Sequence, residues 1–462
     1  MTALPVESPP RAPAFDRTLI APLIIGAVLN PINSSIIAVA LVPIGRALGA
    51  SPAETAWLVS ALYLATAIGQ PVVGRLVDMF GPRRLYLVGA SLTALAGLIG
   101  TLAPNLGVLV VARVILGFGT CAGYPAAMYL IRSESRRTGQ DSPASILTML
   151  AVSSQTILVI GPTLGGLLIG LGGWRSTFTL NIPLGIACLV LALLYLPKHT
   201  PLDQKEREHL DYAGIALFAG TLVALLLFLM EPATDLWYLL VIAAAAAAAF
   251  VVRERRANDP FVDLRLLAGN RPLVVTYLRS LLAALISYCF LYGYTQWMED
   301  GRALSASQAG LVLLPMFGTG ILVSTLTGRR AEIRVKLLVG AVSQVIVCAM
   351  LLLLNDHSPI WMLVLIAVIL GVPQGLMSLA NQNALYHQAD PERIASSAGL
   401  LRTFMYLGAI LSSVASGALL GDQADSLGLH HLAIFMIVAA VLATVLIVPD
   451  RSLTLATTPH QE

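Results

Sequence analysis

GRLVDMFGPRRLYLVG, residues 74–89, carries the chain around a tight polar turn between two long apolar runs, 54–77 and 85–103. Gly74 and Gly81 allow close helix packing and a sharp change of direction. Asp78 stands near Arg83 and Arg84, and a carboxylate beside arginines can form an interlocking charge cluster. Taken alone, the loop reads either as a latch between neighbouring elements or as a solvated turn whose arginines set membrane topology.

The same alternation of apolar run and short polar turn fills the chain. Hydrophobic residues make up 57% and charged residues 11%, and the mean hydropathy is +0.81, values that belong to a polytopic membrane protein rather than a soluble domain. A hydrocarbon core about 30 Å thick calls for roughly 20 apolar residues per helix. Stretches of that kind occupy 19–44, 54–77, 85–103, 106–131, 144–171, 176–196, 212–230, 236–252, 273–297, 307–327, 336–354, 359–386, 395–420 and 430–448, predicting an all-α protein of fourteen transmembrane helices. Runs such as AAAAAAAF (243–250) lack the alternation of a β-barrel strand.

The first eighteen residues are proline-rich and polar and lack a signal-peptide core, so the first helix is expected to stay attached and the chain to begin in the cytoplasm. That orientation leaves Arg46, Arg175 and Arg302 outside and Arg113, Arg279 and Arg402 within helices, with the other lysines and arginines on the cytoplasmic side. Both termini are then cytoplasmic, in a cell inner (plasma) membrane. The net charge of +3 describes loops facing an anionic leaflet, and no clustered basic face suggests nucleic acid. Cys121, Cys188, Cys289 and Cys348 all lie in apolar stretches, as inert buried thiols do.

The longest polar connections, 197–211 and 253–272, are too short to fold alone, so function must reside in the membrane bundle. No Gly-rich phosphate loop exists, and the only lysines are Lys198, Lys205 and Lys336, which excludes ATP hydrolysis and leaves an ion or substrate gradient as energy source. All seven histidines lie in loops or termini, and no His-Glu-x-x-His or membrane aspartate pair is present, so neither an enzyme nor a cofactor is expected.

The 74–89 stretch resembles the signature loop between helices 2 and 3 of the major facilitator superfamily: Gly74, Leu76, Asp78, Gly81 and Arg83 match, while Met79 and Pro82 replace arginines. RVILGFGTCAG (113–123) is similar to the family's helix 4 motif through Arg113, Gly117 and Gly119, with Leu116 for glutamine. GPTLGGLL (161–168) resembles the exporters' helix 5 motif through Gly161, Pro162, Gly165 and Gly166, with Ile157 in place of an earlier glycine. WRSTFTLNIPLG (174–185) resembles a pattern of the fourteen-helix drug:proton antiporters. The second half matches more loosely, in QWMEDGRALSASQAGLVLLP (296–315) and in GRRAEIRVKLLVG (328–340), which has no counterpart to Asp78.

The resemblance implies a tail (1–18), a six-helix half (19–196), a linker region with an extra helix pair (197–272), a second six-helix half (273–448) and a cytoplasmic tail (449–462). It also implies export of small organic molecules by alternating access around a midplane cavity. It assigns a conformational latch to Gly74, Asp78, Gly81, Arg83 and Arg84. The helix 5 residues Gly161, Pro162, Gly165 and Gly166 become a hinge whose glycine face either seals against the other half or simply packs.

Buried polar groups in a membrane call for partners or an aqueous cavity. Expected at the substrate cavity are Asn30, Asn33, Arg113, Gln155, Tyr288, Gln374, Asn381 and Arg402, each against an alternative of ordinary interhelical bonding. In LNPINSSIIAVAL (29–41), Asn33 stands where the family places an aspartate associated with coupling; Asn30 and Asn33 lie three apart on one helical face, expected to look into the cavity. All 25 Asp and Glu residues fall in loops, termini or helix ends, so Glu54, Glu299 and Asp300, at the outer ends, are the nearest proton carriers. Two other readings stand beside proton-coupled export: a uniporter or exporter of neutral or anionic compounds, and a non-transporting sensor or scaffold.

Overall fold

The computed structural model describes residues 15–50, 52–139, 144–198, 210–230, 234–257, 260–304, 306–328, 332–420, 425–450 and 453. Among them the regular structure is helical throughout. Six long runs come first: α1 (Ile20–Leu48), α2 (Pro52–Phe80), α3 (Pro82–Leu102), α4 (Leu106–Thr138), α5 (Ala144–Gly172) and α6 (Ser176–Tyr195). A helical pair follows, α7 (Tyr212–Met230) and α8 (Tyr238–Arg256), and then six more: α9 (Arg271–Gly301), α10 (Ala306–Thr327), α11 (Ile333–Leu351), α12 (Ile360–Gln388), α13 (Ile394–Leu420) and α14 (Ser426–Ile447).

Twelve of these are long and apolar enough to cross a membrane as they stand. A thirteenth, α5, bends by 45° between Ile157 and Ile160. Pro162 in the following turn supplies the cause, because it cannot donate the helical hydrogen bond and its ring crowds the preceding turn. The remaining run, α8, ends in Arg253, Glu254, Arg255 and Arg256. The arrangement is compatible with the fourteen stretches read from hydropathy.

Local chemistry sets the helix ends. Gly81 takes φ +84° before Pro82 begins α3, a left-handed conformation at which an L side chain would be strained. Asn105, Asp211, Asn270 and Asp425 cap α4, α7, α9 and α14 through bonds from Val108 N, Gly214 N, Leu273 N and Gly428 N at 3.0, 2.8, 3.2 and 2.7 Å.

Within the first unit, α1 lies on α5. A Cβ at Gly161 would fall on the Ser35 side chain, and one at Gly165 on Val39 and the Ile36 carbonyl. The glycine face therefore packs inside its own half and does not seal against the other, while Pro162 and Gly166 point outward. In the second unit, α9 packs on α13 and α10 on α12.

The halves meet along two crossings, α2 with α13 and α5 with α10, supported by α4 against α13. The extra pair is attached to this seam. Leu222 of α7 packs with Ala67 of α2 and Tyr406 of α13, so the pair covers the join between the halves from outside.

Candidate functional site at the seam

The seam is tightest near the end that bears Asp78. Its carboxylate accepts from Ala395 N at 3.1 Å and Ser396 N at 2.8 Å, with a short bond from Ser396 Oγ. These are first-turn amides of α13, which lack intrahelical acceptors and carry the positive end of the helix dipole. Asp78 thus caps, from one half, a helix of the other. The arginine cluster expected around it is not how it is held: Arg83 donates to Leu193 O at 3.1 Å, and Arg84 is exposed.

Gly74 and Gly399 make this approach feasible. A Cβ on Gly74 would lie 2.4 Å from Ala395 O, and one on Gly399 2.2 Å from Gln70 O. Further along the same crossing, Thr403 Oγ1 donates to Ala67 O at 2.9 Å. On the second crossing, Gln155 Nε2 donates to Ser324 Oγ at 3.3 Å, and a Cβ on Gly328 would meet Thr148 at 2.4 Å. Arg132 of α4 lies over the Tyr386 ring of α12, 5.1 Å from its centroid.

Where the crossings end, an aromatic and polar cluster begins. Tyr63 of α2 and Tyr406 of α13 have ring centroids 5.7 Å apart, and Tyr288 pairs with Tyr292 on α9 at 5.6 Å. Both α9 phenols interact with the Tyr63 side chain. The Arg402 guanidinium sits 4.1 Å above the Tyr124 ring. Asn30 closes the group: its oxygen accepts from Tyr406 OH at 2.7 Å, and its amide donates to Thr120 at 3.0 Å and Thr66 at 3.3 Å. Five helices thus deliver phenols, one amide and one cation to one place. Tyr63, Tyr124 and Tyr406 carry it as much as Tyr288 does; spacing alone cannot reveal that residues 63, 124, 288 and 406 meet.

Asn33 lies elsewhere. Its amide donates to Leu29 O at 2.9 Å and to Asn181 Oδ1 at 2.7 Å, so it faces α6 and not the seam. Arg113 is beside it, 2% exposed, donating to Leu58 O at 2.7 Å and to Asn33 O at 3.2 Å. Asn33 and Arg113 line a small pocket with Ile36, Ile37, Thr177 and Phe178. The expectation that Asn30 and Asn33 share one cavity-facing surface is corrected: positions three apart differ by about 60° around a helix, and that step turns Asn30 to Tyr406 and Asn33 to Asn181.

The remaining candidates divide similarly. Gln374 accepts from Ser287 Oγ at 2.7 Å inside the second half. Asn381 is 4% exposed, and its side-chain oxygen lacks a hydrogen-bond partner. Arg279, fully buried, pairs with Asp450 at 2.8 Å. Glu54 and Asp300 are exposed and Glu299 half-buried, none of them in the aromatic cluster.

Comparison with known proteins gives concordant findings. The model of the family described as Major Facilitator Superfamily matches residues 23–413 and 278–462. A Bacillus subtilis (strain 168) protein described as "Uncharacterized MFS-type transporter YwoD" is 34% identical over 425 residues, covering 90% of this chain and 92% of that one. The lincomycin resistance protein of Streptomyces lincolnensis is 30% identical over 441 residues, covering 92% and 90%. Among solved structures, the human organic anion transporter MFSD10 (TETRAN) superposes with a TM-score of 0.68 at 15% identity, covering 93% and 99%, which speaks to fold alone.

Proposed function

This chain belongs to the major facilitator superfamily, a multi-pass membrane transporter and not an enzyme, and we propose that it exports small planar organic molecules, neutral or anionic, by alternating access. The carrying observation is the seam cluster, in which Arg402 over Tyr124 supplies the charge and Tyr63, Tyr288, Tyr292, Tyr406 and Asn30 supply stacking faces and hydrogen bonds. A guanidinium among phenols favours an aromatic ligand with an acceptor or anionic group. A cationic drug would find no carboxylate in that cluster to pay for its desolvation.

The seam closes at the Asp78 end. On the proposed cytoplasmic orientation of the N-terminus, this seam is the cytoplasmic gate of the exporter in its closed form. The lincomycin resistance relative supports antibiotic-sized organic compounds as cargo. Proton antiport is the less supported form of coupling, since Glu54, Glu299 and Asp300 all stand away from the cluster.

Proteoliposomes enclosing a pH-sensitive dye test the reading. Aromatic anions and neutral aromatics should compete for flux and organic cations should not, with Arg402→Ala abolishing the anion preference. Preferential transport of cations, or a cation preference untouched by Arg402→Ala, would refute it. Obligatory proton counterflow would replace gradient-driven export with antiport.

A further inference from the structure

The start of α7, the end of α8 and the segment after it converge on Gly214. A Cβ there would lie 2.3 Å from Glu254 Oε1 and 2.7 Å from Asp211 Oδ2, so two carboxylate oxygens of opposite helices crowd one point. Both residues are buried, Glu254 to 1% exposure and Asp211 to 7%. Their other oxygens are engaged: Asp211 Oδ1 accepts from Gly214 N and from Arg253, and Glu254 Oε2 accepts from Val262 N at 3.0 Å. The two oxygens beside Gly214, Glu254 Oε1 and Asp211 Oδ2, have no hydrogen-bond partner.

Among the described residues the two carboxylates share one arginine: Arg253 bridges Asp211 at 2.7 Å, and Glu254 makes no ion pair of its own. A buried carboxylate without an ion pair is expensive. A hydrogen ion resolves this without further ligands.

We propose that Asp211 and Glu254 form a proton-binding site, in which a proton from the aqueous phase bonds to Glu254 Oε1 and is donated to Asp211 Oδ2. The proton relieves the charge at Oε1 while the Oε2 bond to Val262 N, which either protonation state can accept, keeps the 260–263 segment over the site. Phe261 of that segment packs on Phe218, and Asp263 holds Arg393, whose carbonyl accepts from Ser397 N in the first turn of α13. The site thus adjoins the turn that docks Asp78. It lies outside the seam, which leaves the aromatic cluster free of acids.

Burial pushes the Glu254 carboxyl up to about 7, with the Asp211 and Asp263 charges adding and the Val262 amide and Arg253 opposing. The folded chain holds this proton more tightly than the unfolded chain, whose carboxyl titrates at 4.5. Stability accordingly falls as pH rises from about 4.5 to about 7.

pH-difference infrared spectroscopy of the purified full-length protein tests the site directly. Wild type should show a protonated-carboxyl band that disappears as pH passes 7, lost in Glu254→Gln and moved to lower pH in Asp211→Asn. The same two variants should flatten or shift the pH dependence of thermal unfolding. No such band in wild type, or a band untouched by both substitutions, would overturn the proposal. Neither readout uses a transported compound, so the outcome is independent of the proposed cargo.

Discussion

Replacing Asp78 with Asn isolates the contribution of one carboxylate to closing the seam. In the closed state Asp78 receives two backbone N–H groups and one hydroxyl from Ala395 and Ser396. An asparagine offers one oxygen to these donors and turns an NH2 toward the rest, stranding at least one first-turn amide. A hydrogen bond to a charged group contributes about 1.5–3 kcal/mol, and its buried partner is left unsatisfied. The charge also loses its favourable place at the N-terminus of α13, worth about 0.3–1 kcal/mol. A net cost of about 2–3 kcal/mol falls on the closed state alone, which shifts the closed-to-open ratio by roughly 30- to 150-fold.

Hydrogen–deuterium exchange in nanodiscs reads this shift. The amides at 394–398 should lose protection by that factor in Asp78→Asn, while those of α6 and α11, remote from the seam, keep theirs. Asp78→Glu should recover part of the protection. Unchanged exchange at 394–398, or an equal loss throughout the chain, would refute the cross-half cap.

Other perturbations follow from the same contacts. Gly399→Ala puts a methyl 2.2 Å from Gln70 O, and overpacking of this kind costs about 1–3 kcal/mol; cysteine cross-linking between α2 and α13 should slow while the protein remains folded. Asp450→Asn removes the counter-ion of buried Arg279 and should destabilise by about 3–5 kcal/mol, visible as a lower thermal midpoint. Asn33→Asp turns an oxygen toward Asn181 Oδ1 in place of the 2.7 Å bond and should cost about 1–3 kcal/mol in thermal stability, without making proton release accompany flux.

Hydropathy was sufficient to place the helices, because a bilayer imposes one length and one polarity on every span. Gly74, Asp78 and Pro162 stood out through the turn chemistry of the loop and the family motifs that contain them. Partners were less legible. Nothing near Asp78 in sequence announces Ser396, more than 300 residues away, and the adjacent arginines were the more visible but incorrect choice. The glycines of α5 showed that a close approach occurs, but a small residue does not name its neighbour, which proved to be α1.

The two asparagines of α1 show how far helical periodicity reaches. It placed Asn30 and Asn33 on adjoining positions, but the decision between seam and interior belongs to Tyr406 and Asn181, residues on α13 and α6. Likewise hydropathy implies burial only for an acid inside a span. Asp211 and Glu254 stand just beyond two spans, in segments whose composition reads as solvated, yet both are buried, and Val262 of the 260–263 segment is bonded to Glu254. A proton site can therefore arise in a loop junction of a transporter whose membrane-embedded cluster is built from phenols, an amide and an arginine.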